Sequence, residues 1–210
     1  LVLEQRAIAA GTSSRSSKLI HGGLRYLEHA EFGLVRECLQ ERSLLLRLAP
    51  ELVALKPFCL PVYRDTRRRP WQLRAGLGLY ALLGGLCPDA RFRSLPRSAW
   101  IGLDGLRTQG LQAVFQYWDG QTDDAALTHA VLRSALEFGA ELLTPAELLR
   151  GAVHEEGVEL VVQHAGAQRS YRAPVLVNCA GPWVRQVLSC FTPGLPLLPI
   201  DLVQGTHLLL

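Results

Sequence analysis

Gly11-Thr12-Ser13-Ser14-Arg15-Ser16-Ser17-Lys18-Leu19-Ile20-His21-Gly22-Gly23-Leu24-Arg25-Tyr26-Leu27-Glu28 is the stretch that decides how this chain is read. Its first part, Thr12 to Lys18, gathers hydroxyls and two cations where a helix or turn is expected to start. Backbone N–H groups and hydroxyls at such a start suit an anion such as a pyrophosphate. They suit a soluble capping loop equally well. The second part, His21 to Tyr26, sets two glycines side by side, so that the backbone can approach a flat ligand without a Cβ in the way. Arg25 and Tyr26 just beyond are the residue types that hold a phosphate or carboxylate. Two glycines alone predict only a turn. The crowding of His, Arg and Tyr around them points to a ligand.

Upstream, Leu1-Val2-Leu3-Glu4 reads as a buried parallel strand ending in an acid. In a dinucleotide-binding βαβ unit an acid at that place accepts a hydrogen bond from a ribose hydroxyl, which makes Glu4 a candidate. The chain opens and closes inside apolar runs and contains no methionine, so it reads as an internal piece of a longer protein. Downstream, Leu34, Val35, Cys38, Leu39, Leu45 and Leu46 fall on one side at helical spacing and predict a helix over 32–49, stopped by Pro50. Residues 58–63 read as a strand that its prolines confine to a sheet edge. Arg64, Arg67, Arg68, Arg69 and Arg74 then surround Trp71 ahead of an apolar stretch to Leu86. That combination fits a membrane-surface anchor and a solvated basic loop equally. Gly76-Leu77-Gly78-Leu79-Tyr80-Ala81 matches G-x-G-x-x-A but follows no buried strand, so it is set aside as a phosphate loop.

Residues 87–113 carry little periodic signal. A strand is expected over 114–118, and a helix capped by Asp123-Asp124 runs to about residue 138, where Gly139 stops it. Short strands follow over 141–143, 147–154, 157–163 and 168–172. Residues 175–178 read as a buried strand, Gly181-Pro182 opens a helix, and 197–210 return to extended structure. Strands and helices alternate at the ends with a meander between, which is an α/β or mixed α+β chain.

The composition excludes several classes. A net charge of +3 over 210 residues does not call for a nucleic-acid partner. Cys38, Cys59, Cys87, Cys179 and Cys190 are odd in number, lack C-x-x-C spacing, and read as buried, inert thiols of a reduced compartment. No metal-ligand spacing of histidines is present, and no apolar run approaches the ~20 residues of a membrane span.

The quoted stretch resembles the signature of FAD-dependent glycerol-3-phosphate dehydrogenases, bacterial respiratory and mitochondrial. The resemblance continues through Glu41-Arg42, Ala49-Pro50, Leu60-Pro61-Val62-Tyr63, residues 117–124, Val177-Asn178-Cys179-Ala180-Gly181-Pro182-Trp183 and Gly205-Thr206-His207. It implies a partial FAD-binding, Rossmann-like domain of the glutathione-reductase type (residues 1–50 and 121–190). A sheet-based substrate-capping domain would occupy residues 51–120, with a second cap segment from 191 to 210. By position, Glu4 would hold the adenosine ribose, and Thr12, Ser13, Ser14 and Lys18 would lie along the FAD. His21, Gly22 and Gly23 would lie near the isoalloxazine, and Ala180 and Gly181 would approach the cofactor again. The family usually has Ala-Thr-Gly where this chain has Cys179-Ala180-Gly181, a change that preserves backbone contact. Arg25 and Tyr26 match positions that meet the substrate phosphate, and His207 matches a histidine facing the substrate.

The activity implied is oxidation of sn-glycerol 3-phosphate to dihydroxyacetone phosphate, with hydride passing to flavin and electrons on to quinone. Arg25 and His207 are the candidate catalytic residues. A cytoplasmic place, peripheral on the inner face of the cytoplasmic membrane, and a homodimer belong to the same expectation. Two alternatives stand beside it. One is a glycerophosphate oxidase reducing oxygen to peroxide, and the other is a truncated fragment without catalysis.

Overall fold

The computed structural model describes residues 1–197 and 199–206. Its elements run, in chain order, β1 (Val2–Leu3), β2 (Leu19–Ile20), α1 (Phe32–Leu48), β3 (Val53–Tyr63), α2 (Pro70–Leu83), β4 (Phe92–Ser94), α3 (Arg97–Trp100), β5 (Leu111–Thr122) and α4 (Asp124–Glu137). There follow β6 (Leu142–Leu143), β7 (Ala146–His154), β8 (Gly157–His164), β9 (Ala167–Ala173) and α5 (Val184–Ser189). The mixed α/β reading holds.

The chain divides into two compact units, Leu1–Ser14 with Thr128–Leu210, and Arg15–Leu127. In the first unit β1 pairs in parallel with β6, Val2 opposite Leu142 and Leu3 opposite Leu143. β7, β8 and β9 form an antiparallel meander. Its core is Ala146, Leu160, Val162 and Phe191, with Leu3, Leu143 and Val187 packed against them. In the second unit β5 is the central strand, with β3 along one edge and β2 and β4 pairing its other side, all antiparallel. β3 lies at the sheet edge as its prolines require, since Pro57 and Pro61 cannot donate to a ladder. Helices α1 and α2 supply the cover: Val35, Leu39, Tyr80 and Ala90 form one buried cluster, and Val62, Leu77 and Phe115 another. Leu39 of α1 packs on Tyr80 of α2 within one core of the second unit.

The helix over 32–49 appears as α1, and the set-aside glycine motif lies inside α2, where no phosphate loop can form. The buried strand over 175–178 is corrected: Val175 and Val177 are 72% and 74% exposed and join no ladder among the described residues. An apolar β-branched run needs a neighbouring strand to become one, and Asn178 binds local backbone instead. No strand forms in the described part of 197–210, whose last four residues lie outside the description. The five cysteines are free, as expected, but they are not buried. Cys59, Cys87 and Cys179 are exposed, and Cys38 and Cys190 are half-buried.

Candidate functional site

In the first unit, β1 leads directly into Glu4, whose N–H donates to the Leu143 carbonyl at 3.0 Å and whose own carbonyl accepts from the Ala146 N–H at 2.8 Å. The Glu4 carboxylate accepts the N–H of Arg6 at 2.9 Å, which fixes it at the carboxyl end of a parallel strand. Thr12 to Ser14 then form a single 3-10 turn, with Thr12 and Ser13 exposed. Far along the chain, Asn178 pins a second turn by accepting the Ala180 N–H at 3.2 Å and donating to the Val184 carbonyl at 3.1 Å. Gly181 follows in the left-handed region at φ 55°, a conformation glycine takes without steric cost. The two turns meet. Among the described residues, only Thr12 Oγ1, 3.9 Å away, comes within van der Waals reach of the place where a Gly181 Cβ would stand. The Trp183 ring packs on Gly11, 3.1 Å from where its Cβ would be. The result is a glycine turn set beside the Thr12 hydroxyl.

In the second unit, Asp124 organises the serine loop. It accepts the Ser16 N–H at 2.9 Å and the Ser16 hydroxyl at 2.8 Å, and the Lys18 ammonium lies against its other oxygen. The Lys18 bond and the Ser16 hydroxyl hold the Asp124 carboxyl well below the usual carboxylate range. The stability this contributes is complete above the ordinary Asp pKa of about 3.9 and is lost as pH falls through the lower folded value. Lys18→Met is therefore expected to lower the melting temperature at neutral pH, with a deficit that shrinks as pH falls below about 4. Melting curves of both proteins between pH 7 and strong acid decide it, and a pH-independent deficit would contradict the clamp.

β2 carries the chain from this loop to His21, which is exposed. Gly22 is buried, and a Cβ there would stand 2.0 Å from the Tyr80 hydroxyl and 2.5 Å from Leu39 Cδ2. Gly23 sits at φ 75° and opens the 3-10 turn Leu24–His29, with the Tyr26 ring 2.7 Å from where its Cβ would be. The close approach that these glycines permit is thus, on these sides, an approach to the protein's own side chains. Arg25 is exposed and makes no ion pair among the described residues. Tyr26 is half-buried against the Val35–Leu39 cluster, its ring 6.2 Å from that of His21. His207 lies outside the described residues.

Beneath Gly22 is a polar cluster whose role the sequence reading missed. Arg42 is fully buried; its Nη1 donates to Asp119 Oδ1 at 2.7 Å, to the Trp118 carbonyl at 2.9 Å and to the Tyr80 hydroxyl at 3.2 Å. Its Nη2 donates to the Asp89 carbonyl at 2.8 Å, with the Asp89 carboxylate at 3.4 Å, while Nε has no partner among the described residues. Burial works against the Arg42 charge, but Tyr80, Asp119 and Asp89 outweigh it and push its pKa up. Burial, reinforced by the Asp119 carboxylate, pushes the Tyr80 phenol up as well, so it stays a donor. That donation goes to Asp119 at 3.3 Å, and the Gly22 N–H reaches the same oxygen at 2.9 Å. One signal could have exposed this cluster: Arg42 falls on the same buried stripe of α1 as Val35 and Leu39. A cation there needs a buried counter-charge.

The family model described as FAD dependent oxidoreductase matches residues 1–210. The aerobic glycerol-3-phosphate dehydrogenase of Escherichia coli is 39% identical over 216 residues, 99% of this chain and 41% of the relative. The D-erythritol 1-phosphate dehydrogenase of Brucella abortus is also 39% identical, over 214 residues, 100% of this chain and 42% of the relative. The solved glycerol-3-phosphate dehydrogenase of Bacillus halodurans, complexed with FAD, superposes with a TM-score of 0.62 at 23% identity. That match covers 88% of this chain and 30% of that one and is a likeness of fold. The chain spans about two fifths of the length of these curated relatives. It belongs to the FAD dependent oxidoreductase family.

Proposed function

We propose that the full-length protein oxidises a polyol phosphate, sn-glycerol 3-phosphate first among them, with FAD as its cofactor. The observation that carries the reading is the meeting of Thr12 with Gly181: a left-handed glycine whose Cβ position would touch the Thr12 hydroxyl at 3.9 Å, in an exposed hydroxyl turn. That arrangement fits a polar, planar cofactor lying along the backbone. Glu4, Thr12, Ser13, Ser14, Lys18, His21, Gly22, Gly23, Ala180 and Gly181 are the residues assigned to it. Bound FAD supplies the hydride acceptor for the hydrogen on C2 of the substrate. Arg25, exposed and without an ion pair among the described residues, is assigned to the substrate phosphate, with Tyr26 beside it. His207, outside the described residues, is the candidate for the hydroxyl proton.

Support for the substrate class comes from the relatives, two of which carry the names of polyol phosphate dehydrogenases at equal identity. Because one is named for erythritol 1-phosphate, the four-carbon polyol phosphate is the second reading. Quinone as electron acceptor, a homodimer and a peripheral place at a membrane surface belong to the same proposal. For the last, the support is Trp71, 70% exposed among Arg64, Arg67, Arg69 and Arg74. No helix among the described residues is long and apolar enough to cross a membrane.

Full-length protein purified with FAD is expected to be yellow and to bleach anaerobically on adding sn-glycerol 3-phosphate. Bleaching by erythritol 1-phosphate alone would select the second reading. Peroxide release in air would select an oxidase. Protein that stays colourless after reconstitution with FAD would overturn the flavin assignment.

A further inference from the structure

His21, Gly22 and Gly23 form a coil between β2 and the 24–29 turn, with no ladder of their own. Such a coil keeps one conformation only if its backbone groups are bound elsewhere. Here the Gly22 N–H donates to Asp119 Oδ1, and the same oxygen takes Arg42 Nη1 and the Tyr80 hydroxyl. Three donors converge on one oxygen of a carboxylate whose residue is 4% exposed. The Tyr80 oxygen also walls the segment, standing 2.0 Å from the place of a Gly22 Cβ. Gly22 is therefore gripped twice, by a bond on its N–H and by a ring against its Cα. The grip comes from three separate elements: α1 through Arg42, α2 through Tyr80 and β5 through Asp119. Burying an ion pair is costly in itself, so a hydrophobic filler would serve mere stability at least as well.

We infer that Asp119, held by Arg42 and Tyr80, is the positioning residue that sets the His21-Gly22-Gly23 backbone for the flavin ring system. It acts through the Gly22 N–H and touches neither substrate nor cofactor. The inference rests on the proposed assignment of residues 21–23 to the flavin. Misplacement of reacting groups by about 1 Å costs about 10²-fold in rate, which sets the scale of the effect.

The test uses the full-length, FAD-loaded enzyme with Asp119→Asn and Tyr80→Phe. Asp119→Asn is expected to keep its FAD content, to shift the visible bands and midpoint potential of the bound flavin, and to lose about 10–100-fold in kcat. The KM for sn-glycerol 3-phosphate is expected to change by less than about threefold, because the phosphate contact at Arg25 is untouched. Tyr80→Phe removes only the hydroxyl and is expected to move the same readouts in the same direction by a smaller factor, about 3–10-fold in kcat. Should Asp119→Asn fail to fold, Tyr80→Phe decides alone. A lowered melting temperature with flavin spectrum, potential and kcat per bound flavin all unchanged would show a purely structural role and overturn the inference. Wild-type protein that takes up no FAD would overturn the flavin reading itself, and this inference with it.

Discussion

Arg42→Ala is expected to lower stability by about 3–5 kcal/mol, the usual cost of breaking a buried ion pair by deleting one partner. The cost arises less from the lost bonds than from the acid left behind. Asp119 is 4% exposed, and without the guanidinium its remaining donors among the described residues are the Tyr80 hydroxyl and the Gly22 N–H. The Trp118 and Asp89 carbonyls lose their donors at the same time. Against a typical total of about 5–15 kcal/mol, this is a large part of what holds a domain folded. Denaturant titration of the variant and the wild type measures it, and a loss below about 1 kcal/mol would show that water or a rearranged side chain replaces the guanidinium. Adding Asp119→Ala to Arg42→Ala is expected to cost less than the sum of the two single changes. The difference is expected at about 0.5–3 kcal/mol, because the stranded charge is then absent.

Arg25→Ala is expected to raise the KM for sn-glycerol 3-phosphate by about 10–100-fold while leaving stability within about 0.5 kcal/mol. The first figure follows from a charge-assisted hydrogen bond worth about 1.5–3 kcal/mol, at about 1.4 kcal/mol per decade. The second follows from its setting: Arg25 is exposed on the 24–29 turn and makes no ion pair whose loss would leave a buried group stranded. Arg25→Lys is expected to recover only part of the affinity, since an ammonium cannot reproduce the two-pronged guanidinium contact with a phosphate. Steady-state kinetics of the full-length enzyme checks both variants. An unchanged KM for Arg25→Ala would remove Arg25 from the phosphate site.

These two arginines differ in how far the sequence could reveal them. Arg25 stands beside paired glycines and a tyrosine, a local pattern that is legible at once. Arg42 sits inside a helix whose apolar spacing is equally legible, yet its partner Asp119 lies 77 positions away on a strand. Alternation along β5 places Phe115, Tyr117 and Asp119 on one face, but nothing local says that the acid meets a cation there. α1 and the meander of β7, β8 and β9 were readable because periodicity and turn glycines act over a few residues. Residues 175–178 misled because a strand is defined by its neighbours as much as by its own side chains. The five thiols misled for a related reason, since cysteine's usual burial is a tendency of the residue type rather than a property of its position. The proximity of Thr12 and Gly181 could be expected only from the family resemblance, because their separation in the chain leaves no periodic trace.

The Arg42 cluster also joins residues that are made at widely separated times. During synthesis from the N-terminus, α1 leaves the ribosome with a cation on its apolar stripe. Asp89 follows 47 residues later and Asp119 only after 77. Until β5 is complete, docking α1 against α2 would bury a guanidinium beside a single, partly exposed acid. Docking of α1 on α2 before β5 is complete therefore carries a desolvation cost that the Asp119 carboxylate later offsets. The buried carboxylate that takes the Gly22 N–H thus completes its ion pair with Arg42 only once the last strand of this unit has been made.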